Sequence, residues 1–179
     1  MQALSLVGFS AEALAVAGVS DDELQQARGF FAAQSAEFAT VQRLRQDLTK
    51  KIAARVTTEA NAPSVSEIQS ELSARVGSLR SAFLELFGEN TQLLLRRWIE
   101  AAKYDVDPEF RVLALQPEEW KQLETNLGAL RAAARSGEQA SPATQTAVNE
   151  FRSRVEVIEA TSLLGSRTNT IRQGLRSQE

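Results

Sequence analysis

The chain has 179 residues and a net charge of −3, and its 43% hydrophobic and 24% charged residues are typical of a folded protein rather than a disordered one. It contains no cysteine and no histidine, which removes disulfides, thiolate nucleophiles, the commonest general base and the commonest metal ligands. We therefore expect no enzyme, no cofactor and no metal site, and the acidic balance disfavours nucleic acid as a partner.

No stretch approaches the roughly 20 consecutive apolar residues of a membrane span. Residues 1–18 are rich in Ala, Leu and Val, but they lack a basic start and carry Glu12, which indicates a small packed helix rather than a signal peptide. These features predict a cytoplasmic protein. They leave open a periplasmic one whose signal has been removed.

The sequence first predicts a short helix, capped by Ser10, and then a much longer one. Ser20 and Glu23 have the spacing of a capping box, in which each side chain bonds the other residue's backbone N–H. Apolar residues recurring every three or four positions extend the helix that they open over residues 21–59. Unbroken, it would be about 58 Å long. This length predicts an elongated molecule, or else a break near Gly29.

A second capping box opens the helix that returns along the first one. Ser64 and Glu67 form it, and the returning helix runs to Gly88. The two helices therefore form a hairpin in which the first arm overhangs the second. A further helix is predicted over residues 91–104, with Asn90 as its cap.

The second half of the chain predicts a smaller hairpin. After a short helical turn, Pro117 and Pro142 each occupy the favourable first position of a long helix. Residues 167–179 are mostly polar and predict a loosely held tail. No segment alternates apolar and polar residues as a strand does. We expect an all-α antiparallel bundle of two helical hairpins, divided into residues 1–104 and 105–179 and folding as one cooperative unit.

A sequence pattern occurs once in the second arm of each hairpin. Its first part has four matched positions: Glu71, Arg75, Val76 and Leu79, then Glu150, Arg154, Val155 and Ile158. Its second part has three: Leu86, Gly88 and Thr91, then Leu163, Gly165 and Thr168. Either an internal duplication or the ordinary recurrence of residues at helical spacing would produce this match.

Two surfaces are candidates for binding a partner. The overhanging part of the first long helix carries an apolar stripe: Phe38, Val41, Leu44, Leu48 and Ile52. Without an intramolecular partner, such a stripe would associate with another protein or with a second copy. Arg96, Arg97 and Trp98 combine residue types enriched at binding hot spots, although Trp98 also suits a core position. The leading hypothesis is a non-enzymatic interaction or assembly module, acting as a scaffold or adaptor.

Three alternatives remain open. The basic stretch 43–55 predicts binding to nucleic acid or anionic lipid, or else a solvated helix face: Arg43, Arg45, Lys50, Lys51 and Arg55. A helical chaperone that cradles unfolded clients is a variant of the interaction module. An enzyme using Arg and Glu on an anionic substrate is the third. The three carboxylates within residues 105–109 suit a helix start better than a cation site.

Overall fold

The computed structural model describes residues 2–54, 63–160 and 162–176, and every regular element in these ranges is helical. The elements are α1 (Gln2–Leu6), α2 (Ala11–Val16), α3 (Asp21–Ala33), α4 (Ser35–Ala54), α5 (Val65–Leu84), α6 (Glu89–Ala101), a 3₁₀ helix (Pro108–Leu113), α7 (Pro117–Ser136), α8 (Pro142–Ala160) and α9 (Ser162–Arg176). The all-α fold class, built from antiparallel hairpins, is confirmed. The two hairpins are α4–α5 and α7–α8.

Both predicted capping boxes are present. Ser20 Oγ accepts the N–H of Glu23 at 3.2 Å, and Glu23 Oε2 accepts the N–H of Ser20 at 2.8 Å. Ser64 Oγ and Glu67 make the same two bonds at 3.2 and 2.6 Å. Each box satisfies amide groups that an isolated helix start leaves without partners. The residue type at two positions three apart therefore fixes where α3 and α5 begin.

The long helix predicted for the first hairpin is two helices, which meet at Gln34. Gly29, where a break was expected, lies inside α3. The N–H of Gln34 donates to the Phe30 carbonyl at 2.9 Å, and the Gln34 carbonyl accepts the N–H of Phe38 at 3.0 Å. Helical hydrogen bonds thus bridge the junction. The predicted end of the helix, residues 55–59, lies outside the described residues.

The chain divides into two compact units. Unit 1 is drawn from Met1–Gly8, Ser20–Gly88 and Leu175–Glu179, and so contains α1, α3, α4 and α5. Unit 2 is drawn from Phe9–Val19 and Glu89–Gly174, and so contains α2, α6, the 3₁₀ helix, α7, α8 and α9 up to Gly174. The boundary predicted between residues 104 and 105 lies inside unit 2.

Unit 1 contains a cluster of five aromatic rings on α3, α4, α5 and the residues that follow α5. Neighbouring rings in it lie 5.1–6.2 Å apart between centroids: Phe30, Phe31, Phe38, Phe83 and Phe87. Edge-to-face and offset pairs at such distances contribute about 0.5–1.5 kcal/mol beyond the burial of their area. The cluster therefore fixes the α3–α4 junction against α5.

Unit 2 has its own hydrophobic core, in which the α7–α8 hairpin packs with the 3₁₀ helix. The core residues are Ala101, Val106, Phe110, Leu115, Trp120, Leu123, Leu127, Val148, Phe151 and Val155. The largest of them is Trp120, which is fully buried and stacks with Tyr104 at 6.2 Å between ring centroids.

The acidic segment before the 3₁₀ helix is tied to α7 by one arginine. Arg131 Nη1 lies 2.6 Å from Asp105 Oδ2, and Nη2 lies 3.0 Å from Asp107 Oδ1. Asp107 occupies the N-cap position of the 3₁₀ helix but makes no capping bond with its side chain. The prediction that this acidic segment starts a helix is confirmed, since Asp107 is the N-cap residue and Glu109 lies in the first turn. Asp105 and Asp107 also anchor the loop to α7, which the sequence did not predict.

The prediction of a loosely held tail is wrong for residues 167–176, because residues 162–176 form α9. The last part of the predicted tail, residues 177–179, lies outside the described residues. Ile171 is fully buried, and Thr168 and Leu175 are almost so. These three residues are three and four positions apart, which places them on one helix face. The helical spacing of these three residues is visible in the sequence, but only Ile171 and Leu175 are apolar, so the buried face was not recognised.

Candidate functional site

The apolar stripe of α4, the first predicted partner surface, is partly internal. Phe38 is 5% exposed and contacts the rings of Phe30 and Phe31, while Val41 has no exposed surface. The expectation that these two residues lack an intramolecular partner is wrong, because α4 packs along α5 and against α3 and α1. Leu44 and Leu48 are half-buried, and only Ile52 is well exposed, at 57%.

Arg96, Arg97 and Trp98, the second predicted surface, lie on α6 and do not share one face. Consecutive helical residues point about 100° apart. Arg96 is exposed, whereas Arg97 and Trp98 are half-buried beside the fully buried Leu95. Their role in binding stays a prediction, with Arg96 as the member open to solvent.

A groove in unit 2, here called the apolar groove, is the strongest candidate site. It consists of two adjoining cavities of about 520 and 410 Å³ that share Ile158. The first is lined by Ala15, Val16, Gly18, Val19, Val112, Ile158, Leu164 and Arg167. The second is lined by Leu113, Ser153, Arg154, Val157 and Ile158. This groove was not predictable from the sequence, because its residues come from α2, the two residues Gly18 and Val19 that follow it, the 3₁₀ helix, α8 and α9.

The two walls of the apolar groove are built differently. One wall is α8, whose Val155 belongs to the hydrophobic core of unit 2. Val157 lies about 200° further round the same helix and therefore faces away from that core. Val157 is 67% exposed, above the other large apolar side chains found exposed in the described residues. The opposite wall ends at Ala114, whose left-handed φ of 46° stops the 3₁₀ helix directly after Leu113.

The left-handed backbone conformation of Ala114 lowers the stability of the fold. A non-glycine residue with positive φ is uncommon, and such strain collects near functional positions. Ala114 is buried, and its N–H still donates to the Arg111 carbonyl at 3.2 Å. The conformation turns the chain from the groove wall into the start of α7.

Two arginines contribute to the lining of the apolar groove. Among its lining residues the only ionisable side chains are Arg154 and Arg167, and there is no carboxylate. Arg154 Nη1 lies 3.2 Å from Glu119 Oε1, and its guanidinium stands 5.4 Å from the centre of the Phe151 ring. Arg167 donates to the Val19 carbonyl. Both arginines are therefore held in place at the groove.

Glu119 connects the groove to the start of α7. Its Oε2 accepts the N–H of Gln116 at 3.0 Å. This backbone bond is the main cause that holds the pKa of Glu119 below its usual value, with smaller contributions from Arg154 and Arg97. Glu119 is therefore charged at neutral pH and fixes the guanidinium of Arg154 against α7.

Comparison of the chain with protein-family models, with curated proteins and with solved structures finds no match. In the described ranges, no group of three or more acidic side chains is placed to hold a metal ion. None of the helices in the described part of the chain combines the length and apolarity needed to cross a membrane.

Proposed function

We propose that this chain is a helical protein-interaction module, a scaffold or adaptor, that docks an amphipathic helix of a partner protein in the apolar groove. One observation carries the proposal. The groove combines an apolar floor and an exposed Val157 with two fixed arginines at its sides, of which Arg154 is paired with Glu119. The surface differs from the α4 stripe that sequence periodicity favours, because most of that stripe is used inside unit 1.

Hydrophobic burial supplies the driving force for docking. Covering an exposed side chain such as Val157 contributes about 1.5–3 kcal/mol if it becomes fully buried. Two adjoining cavities suit an amphipathic helix, which presents apolar side chains at every third or fourth position to a groove. A small apolar ligand would fit a more enclosed cavity better.

Charge selects among amphipathic helices. Arg167, and to a smaller extent Arg154 with its Glu119 partner, would favour a helix whose apolar face is flanked by Asp or Glu over a basic helix. The partner segment is therefore expected to be acidic as well as amphipathic. This selectivity also separates the proposal from a chaperone, which would accept clients with little regard to charge.

The test is a selection from a display library of helical peptides, followed by fluorescence anisotropy with the selected peptides. Val157→Asp should weaken their binding at least about tenfold, which corresponds to about 1.4 kcal/mol. Val65→Asp is the matched control, since Val65 is 38% exposed and is the first residue of α5, where an acidic side chain is tolerated. Its binding should equal that of the wild type.

Two outcomes would contradict the proposal. Selected peptides that bind both aspartate variants equally, or that carry basic flanks, would place the docking surface elsewhere. Sedimentation equilibrium gives the second outcome. A concentration-dependent dimer that Val157→Asp abolishes would make the occupant a second copy of the chain instead of a partner.

A further inference from the structure

Unit 1 contains a cavity of a different character, here called the cationic groove. Its volume is about 530 Å³, and it lies between α1 and α4. Its lining residues are Ser5, Leu6, Gln42, Arg45, Gln46, Thr49 and Lys50. Six of these seven side chains are polar, two of them are cationic and none is acidic. This lining suits a hydrated anion rather than an apolar segment.

Helix geometry explains the arrangement of these side chains. Gln42, Gln46 and Thr49 are spaced by four and three residues and share one face of α4. Arg45 and Lys50 are about 140° apart around the helix and therefore stand at opposite edges of that face. A ligand in the groove would have amide and hydroxyl groups beneath it and a positive charge on each side.

Of the cations in the basic stretch 43–55, the structure places Arg45 and Lys50 in the lining of the cationic groove. Arg43 is exposed and does not line the cavity, and Lys51 donates to the Pro63 carbonyl. Asp47, the acidic residue within the stretch, is half-buried and does not line the cavity either. Arg55 lies outside the described residues. Among the described cations of the stretch, Arg45 and Lys50 are therefore the two that line the cationic groove.

We propose that the cationic groove binds a small organic phosphate of nucleoside diphosphate size. Arginine and lysine are the side chains that proteins use for phosphate, arginine through paired N–H donors and lysine as a point charge. Glutamine and serine have donors and acceptors for a sugar or base, and the Thr49 hydroxyl, which donates to the Arg45 carbonyl at 2.9 Å, can still accept. The cavity volume falls in the range of small-molecule sites, about 300–1,000 Å³. This site is separate from the apolar groove and independent of the function proposed for it.

The test is isothermal titration calorimetry of the full chain with ADP, with adenosine and with inorganic phosphate at low salt. ADP should bind, adenosine should bind at least about tenfold more weakly, and the double variant Arg45→Gln, Lys50→Gln should lose at least about tenfold in ADP affinity. The matched control is Arg43→Gln, Lys121→Gln, which removes the same net charge from exposed positions outside the cavity. It should bind ADP like the wild type.

Two further measurements separate the sources of the phosphate. Co-sedimentation with vesicles containing phosphatidic acid, displaced by ADP, would support the site and assign a lipid headgroup as a second source. Absence of ADP binding, an equal loss in both double variants, or tight salt-sensitive binding of oligo(dT) that ADP does not displace would each overturn the proposal. Circular dichroism of every variant confirms that the fold is retained.

Discussion

The α4–α5 and α7–α8 hairpins are similar in length. In each of them, an equivalent ion pair joins the first helix to the second. Three of their helices have 20 residues and α8 has 19. In each hairpin, the third residue of the first helix is a glutamate that pairs with the arginine of the repeated pattern. Glu37 lies 2.7 Å from Arg75, and Glu119 lies 3.2 Å from Arg154. The matched arginines of the sequence thus occupy equivalent places in the two hairpins.

The separation within each pair is also similar. Glu37 and Arg75 are 38 residues apart, and Glu119 and Arg154 are 35 apart, a difference of 3 residues. The two glutamates lie in the first turns of α4 and α7, the first helices of the two hairpins. This agreement is what a duplication would produce, and duplication and the ordinary recurrence of residues at helical spacing both stay open as explanations of the pattern.

The two glutamates differ in what else they do. Glu119 also accepts the backbone N–H of Gln116, because α7 starts from a loop and has amide groups to cap. Glu37 follows Gln34, through which helical hydrogen bonds continue from α3 into α4. Glu37, the third residue of α4, therefore makes the cross-helix ion pair alone, whereas Glu119, the third residue of α7, makes the ion pair and a capping hydrogen bond. The same pair of residue types acquires different roles from what precedes it in the chain.

The largest effect on stability is expected when one large core side chain is removed from each unit. Phe83→Ala and Trp120→Ala should each lower the free energy of unfolding by about 3–5 kcal/mol, because both side chains have no exposed surface. Urea unfolding followed by circular dichroism measures this loss. Leu93→Ala, at a side chain that is 49% exposed, should change it by less than about 0.5 kcal/mol.

The two tryptophans make the same experiment a test of cooperativity. Trp98 and Trp120 both belong to unit 2, so tryptophan fluorescence reports on that unit alone, whereas circular dichroism reports on all helices. For Phe83→Ala we expect both signals to shift together, as one cooperative unit requires. A fluorescence transition that stays at the wild-type urea concentration would show that the two hairpins unfold separately.

An intermediate effect is expected at the turn of the second hairpin. Gly137 ends α7 with a φ of +75°, and a Cβ added there would meet nothing within 4 Å. Gly137→Ala should therefore cost about 1 kcal/mol through backbone strain alone. Gly128, inside α7, also has open space around its Cβ position. Gly128→Ala should stabilise the protein by about 0.5–1 kcal/mol.

Gly137→Ala and Gly128→Ala are expected to change the free energy of unfolding in opposite directions, so each variant is a control for the other. Thermal unfolding of the two variants checks it. If both glycine variants destabilise the protein, the left-handed turn is not the cause. Residues 55–64, which connect α4 to α5, contain no glycine, so no matching glycine substitution can be made there.

Local features of the fold were predictable because their causes lie a few residues apart. A capping box needs two side chains three positions apart, and a proline favours the first position of a helix by its own geometry. The starts of α3, α5, α7 and α8 follow from these signals. Asn90 was expected to cap α6, but the helix already begins at Glu89.

Features that depend on distant partners could not be predicted. Arg167 donates to a carbonyl 148 residues away, and Arg172 pairs with Glu12 across 160 residues. Periodicity identified the apolar stripe of α4 correctly, but it could not tell whether α5 or another protein covers it. The apolar groove joins four elements for the same reason. Only tertiary packing places Val16, Val112 and Ile158 around one cavity.

The smallest expected effect concerns Glu119 and the pH. The backbone N–H of Gln116, and then Arg154, hold the pKa of Glu119 below its usual value of 4.5 in the folded protein. A carboxylate whose pKa is lowered by folding stabilises the protein above the unfolded pKa. This stabilisation disappears as the pH falls through the folded pKa. Glu119→Gln should therefore lower the free energy of unfolding at pH 7, by less than about 1 kcal/mol because the side chain is 38% exposed.

At pH 3 the difference between Glu119→Gln and the wild type should shrink, because the wild-type carboxyl then loses part of its charge. Urea midpoints at pH 7 and pH 3 measure both values, with Glu118→Gln, an exposed neighbour, as the control. Glutamine keeps an oxygen that accepts the Gln116 N–H, so the substitution isolates the charge from the cap. An equal loss at both pH values would mean that Glu119 acts through its hydrogen-bond geometry. The likeness between Glu119 and Glu37 would then rest on position rather than on a shared ionic contact.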